Sequence, residues 1–318
     1  MADADGAGHP RRDHLGLPAA ALLLSCCAFW GLQQVLVKVT LEEMPAAFQA
    51  MLRFAASTAC LMVWCRVRGI ALFERDGSLW PGLLVGALFA GEMLCVFLGL
   101  QYIPASRLTV FLYASPLWAA LILPWVIRSE RLRALQWFGL LLAFLAVAYT
   151  LRDGLLRGQT EAQHWGDILA LASGLFWAMT TVTIRSSKRL MRASAEKLLF
   201  YQVGGAAVFS AALSLILGDV WVSSFSPFAI TSLALQAVVG GFASYLVWMW
   251  MLGRYPATKM GAFALSTPVF AVIFGAVWLG ETVHMELVAA LAAVIFGITL
   301  VNRKPASATP PDATPETT

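Results

Sequence analysis

Charge is scarce in this sequence. Asp, Glu, Lys and Arg make up 13% of it, about half of what a soluble domain carries. The net charge of +4 is small, and its cations are dispersed. No basic patch interleaved with aromatics stands out, so nucleic acid is not an expected partner. Histidine is scarcer still: His9 and His14 lie in a polar N-terminal stretch, and His164 and His284 fall between apolar runs. No apolar run therefore holds a Ser–His pair, paired aspartates or zinc spacing, and an intramembrane protease or transferase lacks its parts. The five cysteines (Cys26, Cys27, Cys60, Cys65 and Cys95) all sit inside apolar runs without framework or metal spacing. They read as small buried hydrophobes, and no metal or cofactor is expected. No lysine has the surroundings of a phosphate-binding loop, which disfavours ATP-driven pumping. A filter-like loop or ring of charge, the mark of a channel, is absent as well.

Apolar residues are what the chain has in excess, at 59%. They come in ten runs of membrane-spanning length, roughly 19–39, 46–65, 80–100, 104–126, 134–151, 165–185, 198–217, 229–251, 256–278 and 285–301. Arg11 and Arg12 before the first run hint at a targeting signal. That run is too long for a signal core and more spans follow, so it is expected to stay as a helix. Residues 1–18 and 303–318 are polar and read as disordered tails, the second rich in Pro and Thr.

Two stretches resemble each other: Tyr102 to Glu130 and Arg254 to Glu281. Laid over one another, they bring Pro104 onto Pro256, Ala105 onto Ala257, Phe111 onto Phe263 and Pro116 onto Pro268. Ser115 meets Thr267 in the same register. The Phe-Trp pair of span 1 (Phe29, Trp30) likewise answers that of span 6 (Phe176, Trp177). A duplicated membrane unit with proline-interrupted helices at matching places is the sequence sign of a secondary transporter.

Orientation follows from the loops. With the N-terminus inside, most of the 22 lysines and arginines fall on the cytoplasmic face, and the opposite face holds Arg107, Arg152 and Arg157. The positive-inside rule then places both termini in the cytoplasm of a multi-pass protein of the cytoplasmic (inner) membrane. Five spans per unit is an odd number, so the two units enter the membrane in opposite directions. The expected fold is all-α, ten transmembrane helices as two inverted-topology repeats of five.

The chain resembles the drug/metabolite transporter superfamily, in its ten-helix members with two EamA-type domains. The features that carry this are the Phe-Trp pairs, the Pro-Ala-Ser and Pro-Ala-Thr that open spans 4 and 9, the Ser-Pro and Thr-Pro within them, and Glu130 and Glu281 after them. The resemblance divides the chain into a first EamA-type repeat at 19–151, a linker at 152–164 and a second repeat at 165–302. It implies a central cavity lined by spans 1, 3, 4, 6, 8 and 9, with spans 5 and 10 peripheral; the missing catalytic parts leave no enzymatic activity to expect. Such transporters move amino acids, nucleotide sugars, drugs and other metabolites. The expected partners are a small-molecule substrate and the lipid bilayer, for a chain that is either monomer or homodimer.

Ionisable groups inside spans are the first candidates for chemistry, since each is costly unless paired or wet. Arg53 in span 2 and Glu92 in span 3 lie at similar depth, roughly 12–14 Å from the non-cytoplasmic surface at 1.5 Å per residue. Gln33 and Gln34 reach the same level. Two readings stand: a substrate- or proton-linked network, or a static ion pair pinning two helices. Lys38 and Arg185, near span ends, read as snorkelling anchors. Of the twelve tryptophans, Trp64, Trp80, Trp125, Trp137, Trp165, Trp221 and Trp278 fall at interfaces. Trp30, Trp118, Trp177, Trp248 and Trp250 lie deeper. Trp30, Tyr113, Trp177, Tyr245 and Trp248, with Thr181, are expected on cavity walls, suiting an amphipathic organic solute. Pro116 and Pro268 each free a carbonyl, which could face substrate beside Ser115 or Thr267.

Overall fold

A computed structural model describes residues 16–126, 160–221, 224–252, 254–255, 260 and 263–301, with isolated positions between 134 and 149. Among these residues the chain is helical, without strands. The helices are α1 (Leu17–Thr40), α2 (Ala46–Arg68), α3 (Leu79–Gly99), α4 (Ala105–Leu112), α5 (Ser115–Val126), α6 (Glu161–Ser186), α7 (Ala195–Leu217), α8, α9 (Thr267–Leu279) and α10 (Met285–Val301). Helix α8 is a composite: Pro227–Ala234 and Tyr245–Leu252 are α-helical, with a π-helical stretch, Leu235–Ser244, between them. Among the described residues, seven stretches are long and apolar enough to cross a membrane, with α4 and α5 counting as one. Two further apolar helices, within α9 and α10, are shorter. The protein is a multi-pass membrane protein. Most of the fifth expected span, Glu130 and the 256–259 start of the ninth lie outside the described residues.

Local chemistry sets the helix ends. Thr160 and Gln163 form a capping box that starts α6 a turn earlier than its apolar run. Ser194 and Ser226 accept from the N–H groups of Lys197 and Ala229 and so cap α7 and α8. In the fourth span the ring and missing N–H of Pro116 interrupt the helix. Helix α4 stops at Leu112, Tyr113 and Ala114 turn, and α5 restarts at Ser115. In the ninth span Leu265 and Ser266 form the turn, and Pro268 sits in the first turn of α9. Each proline thus stands at the start of a new helix, where its missing N–H costs nothing.

The bundle interlocks residues distant in the sequence. Helix α3 packs on α6 and α7, α2 on α7 and α8, α1 on α9, and α4 on α6. Some of the hydroxyls and amides buried in these seams bond across them. Thr40 and Ser232 share a hydrogen bond of 2.8 Å, and Gln49 donates to Gln236 at 3.4 Å. The seven tryptophans expected at interfaces are all exposed. Trp250 joins them, lying under the Arg254 guanidinium at 4.0 Å rather than in the interior.

The α2–α3 loop is tied to α7 by Asp76. It accepts from Ser78 N at 2.9 Å and from Lys197 Nζ at 2.8 Å. The Lys197 and Ser78 donors hold its carboxyl well below the usual carboxylate range. A depressed folded-state pKa gives stability that is complete above the unfolded value of about 4 and fades as pH falls below it. In detergent, Asp76→Asn is therefore expected to melt below the wild type at pH 7. The two melting temperatures should converge on strong acidification. Parallel melting curves at every pH would remove Asp76 from the account.

Candidate functional site

Antiparallel α1 and α2 bring Gln33 opposite Arg53, and Arg53 Nη2 donates to Gln33 Oε1 at 2.9 Å. The guanidinium is 1% exposed and packs over Phe54 at 4.9 Å and Phe97 at 5.6 Å. Its Nε has no hydrogen-bond partner. On α3, Glu92 is buried and its Oε2 has no partner either. Among the described residues Arg53 and Glu92 form no salt bridge. The static pair that equal depth allowed is replaced by a pairing of Arg53 with Gln33. The physical reason is geometric: equal depth on neighbouring helices does not make two side chains converge, and α1 offers Arg53 a nearer acceptor.

Both side chains line one cavity of about 510 Å³. Of the residues expected on its walls, Trp30, Gln33, Gln34, Glu92, Tyr113, Trp177, Thr181, Tyr245, Trp248 and Thr267 line it, and Ser115 does not. Ser115 is buried beside Gly174 of α6. A Cβ at Gly174 would lie 3.1 Å from the carbonyl oxygens of Phe111 and Leu112. The Leu112 carbonyl, which Pro116 has no N–H to bond, is thus covered by α6, which closes on it because Gly174 has no side chain; Phe111 O instead accepts from Ala114 N at 3.1 Å. The sequence had allowed the freed carbonyl to face a substrate.

Among the described residues six aromatic rings, those of Trp30, Phe89, Tyr113, Trp177, Tyr245 and Trp248, stand in the wall. Trp30 meets Trp248 edge-on at 5.3 Å and Tyr245 at 5.9 Å, and its indole N–H donates to Ser244 at 2.8 Å. Tyr113, in the turn between α4 and α5, meets Trp177 at 5.2 Å. Ser244 ends the π-helical stretch of α8, which aims Tyr245 and Trp248 inward. Sequence reasoning missed Phe89, Met93 and Val96, which line the cavity with Glu92. The signal was present, since these positions share one face of a helix.

One end of the cavity is a mouth. It is rimmed by Arg185 at the end of α6, by Leu190, Met191 and Ala193 of the α6–α7 connection, and by Ala195. Beyond its other end, polar contacts tie the helices together. Glu281, just after α9, accepts from Ala105 N at 2.7 Å and from Ser106 N at 3.1 Å and Oγ at 2.6 Å. Lys38 donates to the Ile103 carbonyl at 2.6 Å rather than snorkelling to the surface. Arg107 of α4 pairs with Asp167 of α6, Nε to Oδ1 at 2.7 Å and Nη2 to Oδ2 at 2.8 Å. These groups lie roughly 27 Å from the mouth along α6, at 1.5 Å per residue from position 167 to 185.

Comparison with known proteins fits this geometry. Residues 17–152 and 164–303 each match the profile of the EamA-like transporter family. An uncharacterized transporter of Archaeoglobus fulgidus is 26% identical over 82% of this chain and 89% of its own. A probable amino-acid metabolite efflux pump of Salmonella typhimurium is 27% identical over 87% and 92%. A protein of known crystal structure, 20% identical, superposes over 89% of this chain and 97% of its own with a TM-score of 0.63. That last likeness is one of fold.

Proposed function

The chain belongs to the EamA-like transporter family, and we propose that it exports a small amphipathic metabolite, an amino acid or a near relative, from the cytoplasm. It would act as a secondary transporter in the inner membrane, ten helices in two inverted repeats rocking about one cavity. One observation carries the substrate class: a single aromatic-walled cavity holds a buried arginine and a buried carboxylate that do not neutralise each other. Each uncompensated charge is costly in a low-dielectric wall. A cargo bearing both a carboxylate and an ammonium group offsets both, and its apolar side chain has aromatic rings to rest on. The mouth supports the direction. Its neighbours Arg185, Lys188, Arg189 and Arg192 belong to the cation-rich face, which the positive-inside rule assigns to the cytoplasm. The state described here would therefore be loaded from within.

The test is efflux of labelled amino acids from proteoliposomes containing the purified chain, with unlabelled competitors. Amino acids with large apolar side chains are expected to be transported saturably and to compete with one another. If no amino acid competes at millimolar concentration while a singly charged amphipathic amine or acid does, the zwitterionic cargo is wrong.

A further inference from the structure

Beyond the end of the cavity opposite the mouth, one carboxylate crosses between the two halves of the chain. Helix α9 ends at Gly280, whose left-handed φ of 63° a residue with a side chain rarely adopts. The turn there lets Glu281 N donate back to Gly275 O at 3.1 Å and folds the Glu281 side chain over Gly275. A Cβ at Gly275 would come within 2.5 Å of Glu281 Oε2. From that seat the carboxylate takes the first N–H groups of α4, which have no partner inside their own helix. It also takes the Ser106 hydroxyl, and Ser106 is buried. The charge suits the positive end of a helix. Lys38 of α1, close enough to Glu281 to feel its charge, holds the residue two positions before α4. The same short segment carries Arg107, which is fastened to α6.

Helix α4 is only eight residues long, and its far end delivers Leu112 and Tyr113 to the cavity wall. A carboxylate on its first turn therefore sets where those two residues stand. We propose that Glu281 is the positioning residue of the closed gate: while it caps α4, the cavity is sealed on the face opposite the mouth. Release of Glu281 frees α4 to swing and opens that face, completing the exit path. This goes beyond the choice of cargo and does not depend on it.

The test needs no substrate. Gln34 lines the cavity one turn inward of Lys38, directly behind the closed end. A Gln34→Cys chain is treated with a membrane-impermeant thiol reagent, either in cells with a permeabilised outer membrane or in inside-out vesicles. Labelling in the Glu281-intact chain is expected from the mouth face and to be slow from the opposite face. Glu281→Gln keeps an acceptor but loses the charge. It should speed labelling from the closed face about tenfold or more, the scale of a lost charge-assisted hydrogen bond, and slow it from the mouth. Gly275→Ala, which keeps the carboxylate but evicts it from its seat, should do the same. Unchanged closed-face labelling in both variants would overturn the proposal. An equal rise from both faces would overturn it too, since it reports a loosened bundle rather than a gate. Failure to find an amino-acid cargo would leave these outcomes untouched.

Discussion

Replacing Arg53 with Gln is expected to lower transport of a zwitterionic amino acid roughly ten- to a hundredfold. The lost interaction is a charge-assisted hydrogen bond in a buried wall, about 1.5–3 kcal/mol. The decisive feature is which analogues suffer. Arg53→Gln should erase the advantage of an amino acid over its decarboxylated amine. Glu92→Gln should erase its advantage over the deaminated acid. The double variant should accept neutral analogues that the wild type refuses, because no uncompensated charge then remains in the wall. If both single variants lose all analogues equally, the two residues only hold the bundle together. The Glu92→Gln chain also reports on coupling. With an imposed pH gradient, a wild type that responds and a variant that exchanges cargo but ignores the gradient would assign the coupled proton to Glu92. Equal responses would exclude that role.

The spans that fall among the described residues were legible because membrane helices announce themselves by length and apolarity. The interior prolines were legible because the ring leaves the backbone no alternative. Trp30 and Trp177 were found through the repeat, Tyr113 and Tyr245 through their places on spans that the family resemblance put around the cavity, and Thr267 through its place beside Pro268. The partner of Arg53 was not legible. Depth can be counted along a helix, but the rotation that turns Arg53 toward Gln33 depends on how α2 packs in the bundle, on α3, α7 and α8. The π-helical stretch of α8 left no trace either, since Leu235–Ser244 reads as ordinary apolar helix. Glu281 was noticed as a repeated acidic residue, yet its seat on α4 joins positions 175 and 176 residues apart. Only the folded chain brings them together.

All of this rests on the cargo passing through the cavity between Trp30, Tyr113, Trp177 and Tyr245. Thr181 on α6 offers the most direct test. It lines that space, and among the described residues its hydroxyl bonds the Trp177 carbonyl of its own helix alone, at 3.1 Å, so a Thr181→Cys chain should fold and transport. Its cavity faces are already crowded by rings, and a bulky methanethiosulfonate attached there would fill a large share of about 510 Å³. The native cysteines lie in the spans, buried or partly buried, so the unmodified chain treated identically is the blank. The account predicts that full modification of Thr181→Cys abolishes amino-acid transport in proteoliposomes, that saturating cargo slows the modification, and that reduction restores activity. Undiminished transport by a fully modified chain would contradict it.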